Sequence, residues 1–567
     1  LKDLIVAYDI ASAAKSNRKL RIAATAMRFR SDQSEGRDFI QKCLHVLLAT
    51  LGDKERRSYP SLILTIVILI AERYLEEGTA VDFLSLLQPE FEWLEGWDMN
   101  FPWQYEYVRG WLAYQLGDSR IAWSRLERAA NKIDEKVPQG EDVSFSPTWM
   151  YDKDRFQQHL STVAIELVRR DDLSRTELLK VYELTNGREI AARLGMHLSS
   201  EDITSGLIKL AEKANRDIQV FFPLIEGKNM HLCHLSSTSR VPVIIEEGQW
   251  DRDELLKVRK QTYNALKQAN PEDLSVLDAK IRPWAELSAS IGKAMAPYLD
   301  ESGHVCFLPG RDLTGLPLHL VQLSGGINLL ERTTVTYAPN FAMLFAPQSL
   351  PSPSSVAVVT VSKRRDSDKF RGRALETSRE LIDLWRRNCE VHELTELEAT
   401  AGATLDVIQR VDEVIFICHG AYAGPGRGYG ICVSDEHQLP PSLFPIVEVP
   451  DLERFVLTWD DFEEVDSCPH TVVSIACSSG LTEVVAGGTR HGLEQTLFGH
   501  GTRALISPLW DIDQESGLEW LKTFCQARSQ NPERAIEETY RETSLALKAR
   551  FSHPYFWGSF TLNGSLF

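Results

Sequence analysis

What this sequence lacks narrows its class before any motif is considered. It has no apolar run long enough for a bilayer: the longest, residues 62–71 (LILTIVILIA), is followed by Glu72 and Arg73 and has about half of the roughly 20 residues a spanning helix needs. It reads as a buried helix. There is no dense cysteine framework, because the nine Cys are scattered over 567 residues, which points to free thiols in a reducing compartment. Residues 1–30 are interrupted by Lys2, Asp3, Asp9, Lys15, Arg18, Lys19 and Arg21, so no secretory apolar region is present. Because the chain opens on Leu1 instead of Met, an upstream start is expected. Positive charge is also short: 62 Lys and Arg stand against 80 Asp and Glu, and the net charge of −18 disfavours a nucleic-acid ligand. A cytoplasmic protein, without direct nucleic-acid or membrane contact, is expected.

What is present is an ordinary globular composition, 43% hydrophobic and 25% charged, in a chain long enough for about three or four domain-sized units. From residue 1 to about 175 apolar residues recur at helical spacing, with Gly or Pro between segments. The clearest unit is residues 105–133 (YEYVRGWLAYQLGDSRIAWSRLERAANKI), where Gly110, Gly117, Ala122 and Ala129 stand where two antiparallel helices must approach around a turn. These match the small positions of a tetratricopeptide repeat, which the segment resembles. AERYLEEGTAVDFLSLL around Gly78 is a degenerate second copy, and a plain helical bundle is the alternative. Helical periodicity continues to about 215, and then strand-like runs appear (DIQVFFPL, MHLCHLS, VPVIIEE).

After two more helical segments, short apolar runs alternate with helices: HVCFLPG, VAVVTV, DEVIFICHG, TVVSIACSSG, ALISPLW and FWGSFTL. Apolar runs without alternation suit strands buried on both faces, with helices as crossovers of a parallel sheet. The expected fold is α plus α/β: a helical, repeat-like region over 1–215 and a three-layer α/β domain over 216–567. The latter divides into a strand and helix subdomain, 216–300, and a core, 301–567.

Two strands end in reactive residues followed by small ones. VIFIC runs into His419 and Gly420, and VVSIA runs into Cys477, Ser478, Ser479 and Gly480. If the strands are neighbours, about 4.8 Å apart, the following loops bring imidazole and thiol within reach. A thiol needs a base to act as a nucleophile near neutral pH, and His has the pKa for it. The backbone N–H groups of Gly420 and Cys477 would donate to a developing oxyanion. The alternative is a buried structural Cys at a strand end.

From about residue 216 the sequence resembles the CHAT domain, a caspase-like module of the clan that contains caspases, gingipains and separases. The landmarks are FLPGRDLTGLPLHLV, YAPNFAMLF, the CHG strand end, SIACSSG, RHGLEQTLFGHGTRALISPLWDID and HPYFWGSFTLNG, in that order. The resemblance implies a cysteine endopeptidase with His419 as general base and acid and Cys477 as nucleophile, needing no metal or organic cofactor. After the nucleophile the commoner family pattern is Glu-Thr-Gly; here it is Ser478, Ser479 and Gly480, closer to the separase form. The resemblance also places Asp511 and Asp513, with Trp510, at the wall of the first specificity pocket, where a carboxylate would pair with a substrate Arg or Lys. For Asp513 a helix cap is the alternative, and for Trp510 a place in the core.

Other motifs carry less. The glycines at 420, 424, 426, 428 and 430 lack the Gly-Lys-Ser/Thr of a phosphate cradle and suit an active-site loop that orders on activation. Cys432 with His437, or Cys468 with His470, lacks a second half for zinc. The basic run at 363–373 (KRRDSDKFRGR) reads as a solvated loop open to self-cleavage. The expected protein is thus a regulated cysteine endopeptidase acting on a protein substrate, with the helical repeats receiving a protein partner or activating assembly. The alternative is a catalytically silent scaffold.

Overall fold

The computed structural model describes residues 103–134, 147–186, 196, 198–300, 303–346, 352–362, 368–424, 428–434, 456–481, 483–484 and 490–564. The apolar run at 62–71, the degenerate repeat around Gly78 and residues 363–367 of the basic run lie outside the described residues. The chain forms two compact units, Leu1–Leu173 and Ser174–Phe567.

The described part of the first unit is helical: α1 (Trp103–Gln115), α2 (Ser119–Asp134) and α3 (Pro147–Arg169). Helix α1 ends at Gly117, whose φ of 83° is costly for any side chain. There the Asp118 N–H donates to the Ala113 carbonyl at 2.9 Å, which closes the turn. The small residues expected at the helix interface lie there. A Cβ on Gly110 would stand 2.8 Å from Leu126 Cγ, and Ala122 and Ala129 are buried. Helix α3 adds His159, stacked on Trp111 with ring centroids 3.4 Å apart.

The second unit opens with α4 (Glu177–Asn186) and α5 (Ser200–Ala214) and then β1 (Ile218–Glu226). The change of texture near 215 is thus the step from α5 to β1, while the division into units falls earlier. Both helices pack within the α/β unit. The buried Tyr182 hydroxyl donates to the Leu308 carbonyl at 3.1 Å, and Glu183 Oε1 accepts from the Phe341 N–H at 2.5 Å. Helix α5 opens on a capping box between Ser199 and Asp202.

Next come β2 (Asn229–Ser236), β3 (Val243–Asp251), α6 (Arg252–Lys267), α7 (Leu274–Met295), β4 (His304–Phe307), β5 (Thr334–Tyr337), β6 (Ser355–Val361), α8 (Asp368–Trp385) and β7 (Glu390–Thr395). They are followed by α9 (Ala401–Ile408), β8 (Glu413–Cys418), β9 (Gly420–Tyr422), β10 (Tyr429–Cys432), β11 (Val456–Leu457), β12 (Thr471–Ser474), β13 (Glu483–Val484) and β14 (Arg490–His491). The chain closes with α10 (Leu493–Gly499), β15 (Ala504–Pro508), α11 (Gln514–Gln530), α12 (Ile536–Arg550) and β16 (Phe560–Gly564). Part of the basic run, from Asp368, is therefore the first turn of α8 and not loop.

Eleven strands make one sheet in the order β3-β2-β1-β4-β5-β16-β15-β12-β8-β6-β7. The strands of 216–300 join it through the parallel pairing of β1 with β4. The central strands β15, β12, β8, β6 and β7 are mutually parallel. Their side chains alternate between two cores, as the period of two requires. Val356, Val358, Ile415, Ile417, Val473 and Ile506 face a core shared with Trp385 of α8 and with Trp520 and Phe524 of α11. Ala357, Val359, Val414, Phe416, Val472 and Leu505 face a second one, shared with Ile408 of α9 and with Leu497 and Phe498 of α10. That two-sided burial explains the unbroken apolar runs and yields a helix, sheet, helix sandwich.

Candidate active site

Strands β8 and β12 are parallel neighbours with Phe416 registered opposite Ser474, and the Ile475 N–H extends the ladder to the Phe416 carbonyl at 3.1 Å. Three residues further on, each chain reaches its reactive residue, His419 on one and Cys477 on the other. Gly420 shows how close the two segments are. A Cβ there would sit 1.9 Å from the Cys477 carbonyl oxygen and 2.9 Å from its nitrogen. No other residue fits, because any side chain there would collide with the Cys477 backbone.

The His419 segment is held from its other side by a hairpin. The Cys432 N–H donates to the His419 carbonyl at 2.8 Å, and β10 pairs antiparallel with β9, with Ile431 opposite Gly420 and Tyr429 opposite Tyr422. The glycine-rich segment is therefore this hairpin rather than a phosphate cradle. Gly424 and Gly428 occur at positive φ on its two sides.

After Cys477 the backbone turns sharply. Ser478 has φ of 57°, unusual for a residue with a side chain, and its Oγ donates to Asp511 Oδ1 at 2.8 Å. The Gly480 N–H donates to the Pro508 carbonyl at 3.0 Å, and a Cβ on Gly480 would press on Ser507 Oγ at 2.8 Å. The turn after Cys477 is thus fastened to β15 and to the segment that follows it.

The Cys477 thiol is pushed up to about 12, first by burial and then by the negative charge of Asp511, while the Ile512 N–H hydrogen-bonded to the sulfur opposes the shift. Cys477 itself is only partly buried. Tyr555 borders the same spot: its hydroxyl donates to the Asp511 carbonyl at 2.9 Å. Burial, then the charges of Asp513, Cys477 and Asp511, keep that phenol well above its ordinary range.

Of the three residues expected at the specificity pocket, Asp511 reaches the turn after Cys477. Asp513 is the N-cap of α11, with Oδ1 accepting from the Ser516 N–H at 2.9 Å. Trp510 is 2% exposed and donates Nε1 to the Tyr555 carbonyl at 3.1 Å. Both side chains are committed to the fold. Sequence reasoning missed Ser478 as a partner of Asp511, since 33 positions separate them and no local pattern joins them. It also missed Tyr263 and Lys267 of α6, which meet Tyr429 beside the His419 hairpin. Among the described residues no group of three or more His, Cys, Asp and Glu is placed to hold a metal ion; His437 lies outside them.

The family model for the CHAT domain matches residues 282–565, half of the chain. The chain belongs to the CHAT-domain family. The CHAT match thus begins inside α7 and takes in every strand from β4 onward, including those that end at His419 and Cys477. No curated protein matches the sequence. Chains from two crystal structures of the Saccharomyces cerevisiae separase–securin complex, at 3.0 and 2.6 Å resolution, are similar to this CHAT-domain chain at 10% and 12% identity, each with a TM-score of 0.47. The similarity covers 99% of this chain and 49% of the other, so the chain spans about half the length of those neighbours. No helix among the described residues is long and apolar enough to cross a membrane.

Proposed function

We propose that this CHAT-domain protein is a regulated cysteine endopeptidase that cleaves a protein substrate after a basic residue. The observation that carries the reading is the contact of Gly420 with the Cys477 backbone. It brings a strand end bearing an imidazole against a strand end bearing a thiol, in a fold of the caspase-like type. Asp511, hydrogen-bonded to Ser478 beside the nucleophile, supplies the carboxylate for an Arg or Lys side chain.

In this mechanism Cys477 attacks the scissile carbonyl as His419 takes its proton, and the N–H groups of Gly420 and Cys477 receive the oxyanion. His419 then protonates the leaving amine, and water, activated by the same imidazole, hydrolyses the thioester. A thiol pushed up to about 12 is protonated at rest. A cationic substrate side chain at Asp511 offsets the charge that helps hold it there, so the correct substrate promotes its own attack. The N-terminal region over 1–215 receives a partner or activating assembly, the region over 216–567 cuts, and the acidic chain works in the cytoplasm.

The protonated resting thiol equally suits a second reading, a silent scaffold that uses the repeats for binding. Incubation of the protein with a peptide library, with and without lysate from its source, separates the two. Cleavage after Arg or Lys that Cys477→Ala and His419→Ala both abolish is the expected result. Cleavage in lysate alone assigns a partner-gated enzyme, and no cleavage in either condition supports the scaffold.

A further inference from the structure

Helix α6 belongs to the segment before the β4 core, yet its last turn meets the hairpin that carries His419. Tyr263 and Lys267, four residues apart and so on one face of the helix, both reach Tyr429. The Tyr263 and Tyr429 hydroxyls are hydrogen-bonded to each other, with their rings edge to face at 6.5 Å. Lys267 Nζ donates to Tyr429 Oη at 3.3 Å and stands 5.6 Å and 5.9 Å from the ring centroids of Tyr429 and Tyr263, within cation–π range. Tyr422, the cross-strand partner of Tyr429, adds a third ring at 5.1 Å from it.

The helix is fixed at its other end. Arg252 Nε donates to the buried Asp312 at 2.9 Å, and Arg259 Nη1 donates to the Arg311 carbonyl at 2.6 Å. It is a strut between the 310–313 turn and the hairpin. From Tyr429 the connection to the base is short and made of backbone: Gly430 pairs with Ala421, Ile431 pairs with Gly420, and Cys432 donates to the His419 carbonyl. On its far side β10 is pressed against β11, where a Cβ on Gly430 would lie 2.2 Å from the Leu457 carbonyl oxygen. The hairpin is therefore clamped between β11 and the strut.

We propose that Tyr263 and Lys267 are positioning residues for His419, acting through Tyr429 and the β9–β10 hairpin. The inference rests on the assignment of His419 as the base for Cys477. Its chemical consequence is that displacing the end of α6 moves the imidazole relative to the thiol without touching either, and a displacement of about 1 Å is enough to cost much of a rate.

The test compares wild type with Tyr263→Leu, Tyr263→Phe, Lys267→Ala and Tyr429→Phe. Two readouts are needed: the rate of Cys477 alkylation by iodoacetamide, located by peptide mass spectrometry, and separate kcat and KM values on an Arg-containing peptide. Tyr263→Leu is expected to slow alkylation and lower kcat by about tenfold, with KM within about twofold. Tyr263→Phe, which keeps the ring, recovers part of that loss. Unchanged alkylation in both Tyr263→Leu and Lys267→Ala overturns the inference, and so does a rise in KM alone. If Tyr263→Leu does not fold, the nearly isosteric Tyr429→Phe decides by the same criteria. If wild type cleaves no peptide, the peptidase reading fails by itself, and the alkylation rates still settle the role of the strut.

Discussion

At the scale of single residues, Asp511 bears on Cys477 and its surroundings in two ways that pull in different directions. Burial and the Asp511 carboxylate together raise the Cys477 thiol, while the same carboxylate is the group suited to a basic substrate side chain. Asp511→Asn therefore separates the two effects. The variant is expected to show a lower Cys477 pKa, read from the pH dependence of iodoacetamide alkylation, because a negative charge that disfavours the thiolate is gone. Cleavage after Arg and Lys should fall at least tenfold in kcat/KM, the loss of a charge-assisted pair. An unchanged alkylation profile would deny the electrostatic contact. His419, Cys477 and Asp511 could be singled out as candidates in the sequence because each follows an apolar strand and precedes or lies in a recognisable motif. Ser478 was not, since its left-handed backbone and its bond to Asp511 arise only when β12 and β15 lie side by side. Asp513 and Trp510 carried the same sequence signal as Asp511, and only packing shows that one caps a helix and the other lies in the core.

At the scale of elements, register does most of the positioning. The pairing of Phe416 with Ser474 puts two strand ends level, and Gly420 then sets how closely they meet. Gly420→Ala forces a methyl into the Cys477 backbone, so the hairpin must move away. Alkylation of Cys477 is expected to slow by about 100-fold, with far-ultraviolet circular dichroism retained. Wild-type reactivity in this variant would mean the two segments are not in contact. The alternation of strands and helices was readable, because runs such as EVIFIC and SVAVVTV are buried on both faces. The affiliation of α4 and α5 was not, since an amphipathic helix packs on a sheet with the same period it uses on another helix. Only contacts such as Tyr182 with the Leu308 carbonyl reveal the choice. The contact between α6 and the hairpin was hidden too, because Tyr263 and Tyr429 are 166 positions apart.

At the scale of the whole molecule, the α/β unit buries ionisable groups whose titration makes its stability depend on pH. His319 is held down to about 4 by burial, with its ring bonded to the Tyr337 hydroxyl and the Gly558 carbonyl. His234 is likewise held to about 4, by burial against the opposing charge of Asp217. Both are neutral in the fold and take up protons near 6.5 once unfolded. The stability they contribute is complete above about pH 6.5 and is lost as pH falls toward 4. The melting temperature should drop through that window, and His319→Gln should make the drop shallower; a flat profile between those limits would contradict the burial of both rings. The central claim, that His419 and Cys477 form a working pair served by Asp511, is tested most directly by one labelling measurement. Wild type, His419→Ala and Asp511→Asn are treated with an acyloxymethyl ketone carrying Arg at its first position, with source lysate supplied, and each protein is weighed intact and then mapped. A single adduct on Cys477 in wild type, absent from His419→Ala and strongly reduced in Asp511→Asn, is the predicted result. No adduct in wild type, an adduct on another cysteine, or equal labelling in all three proteins would contradict it.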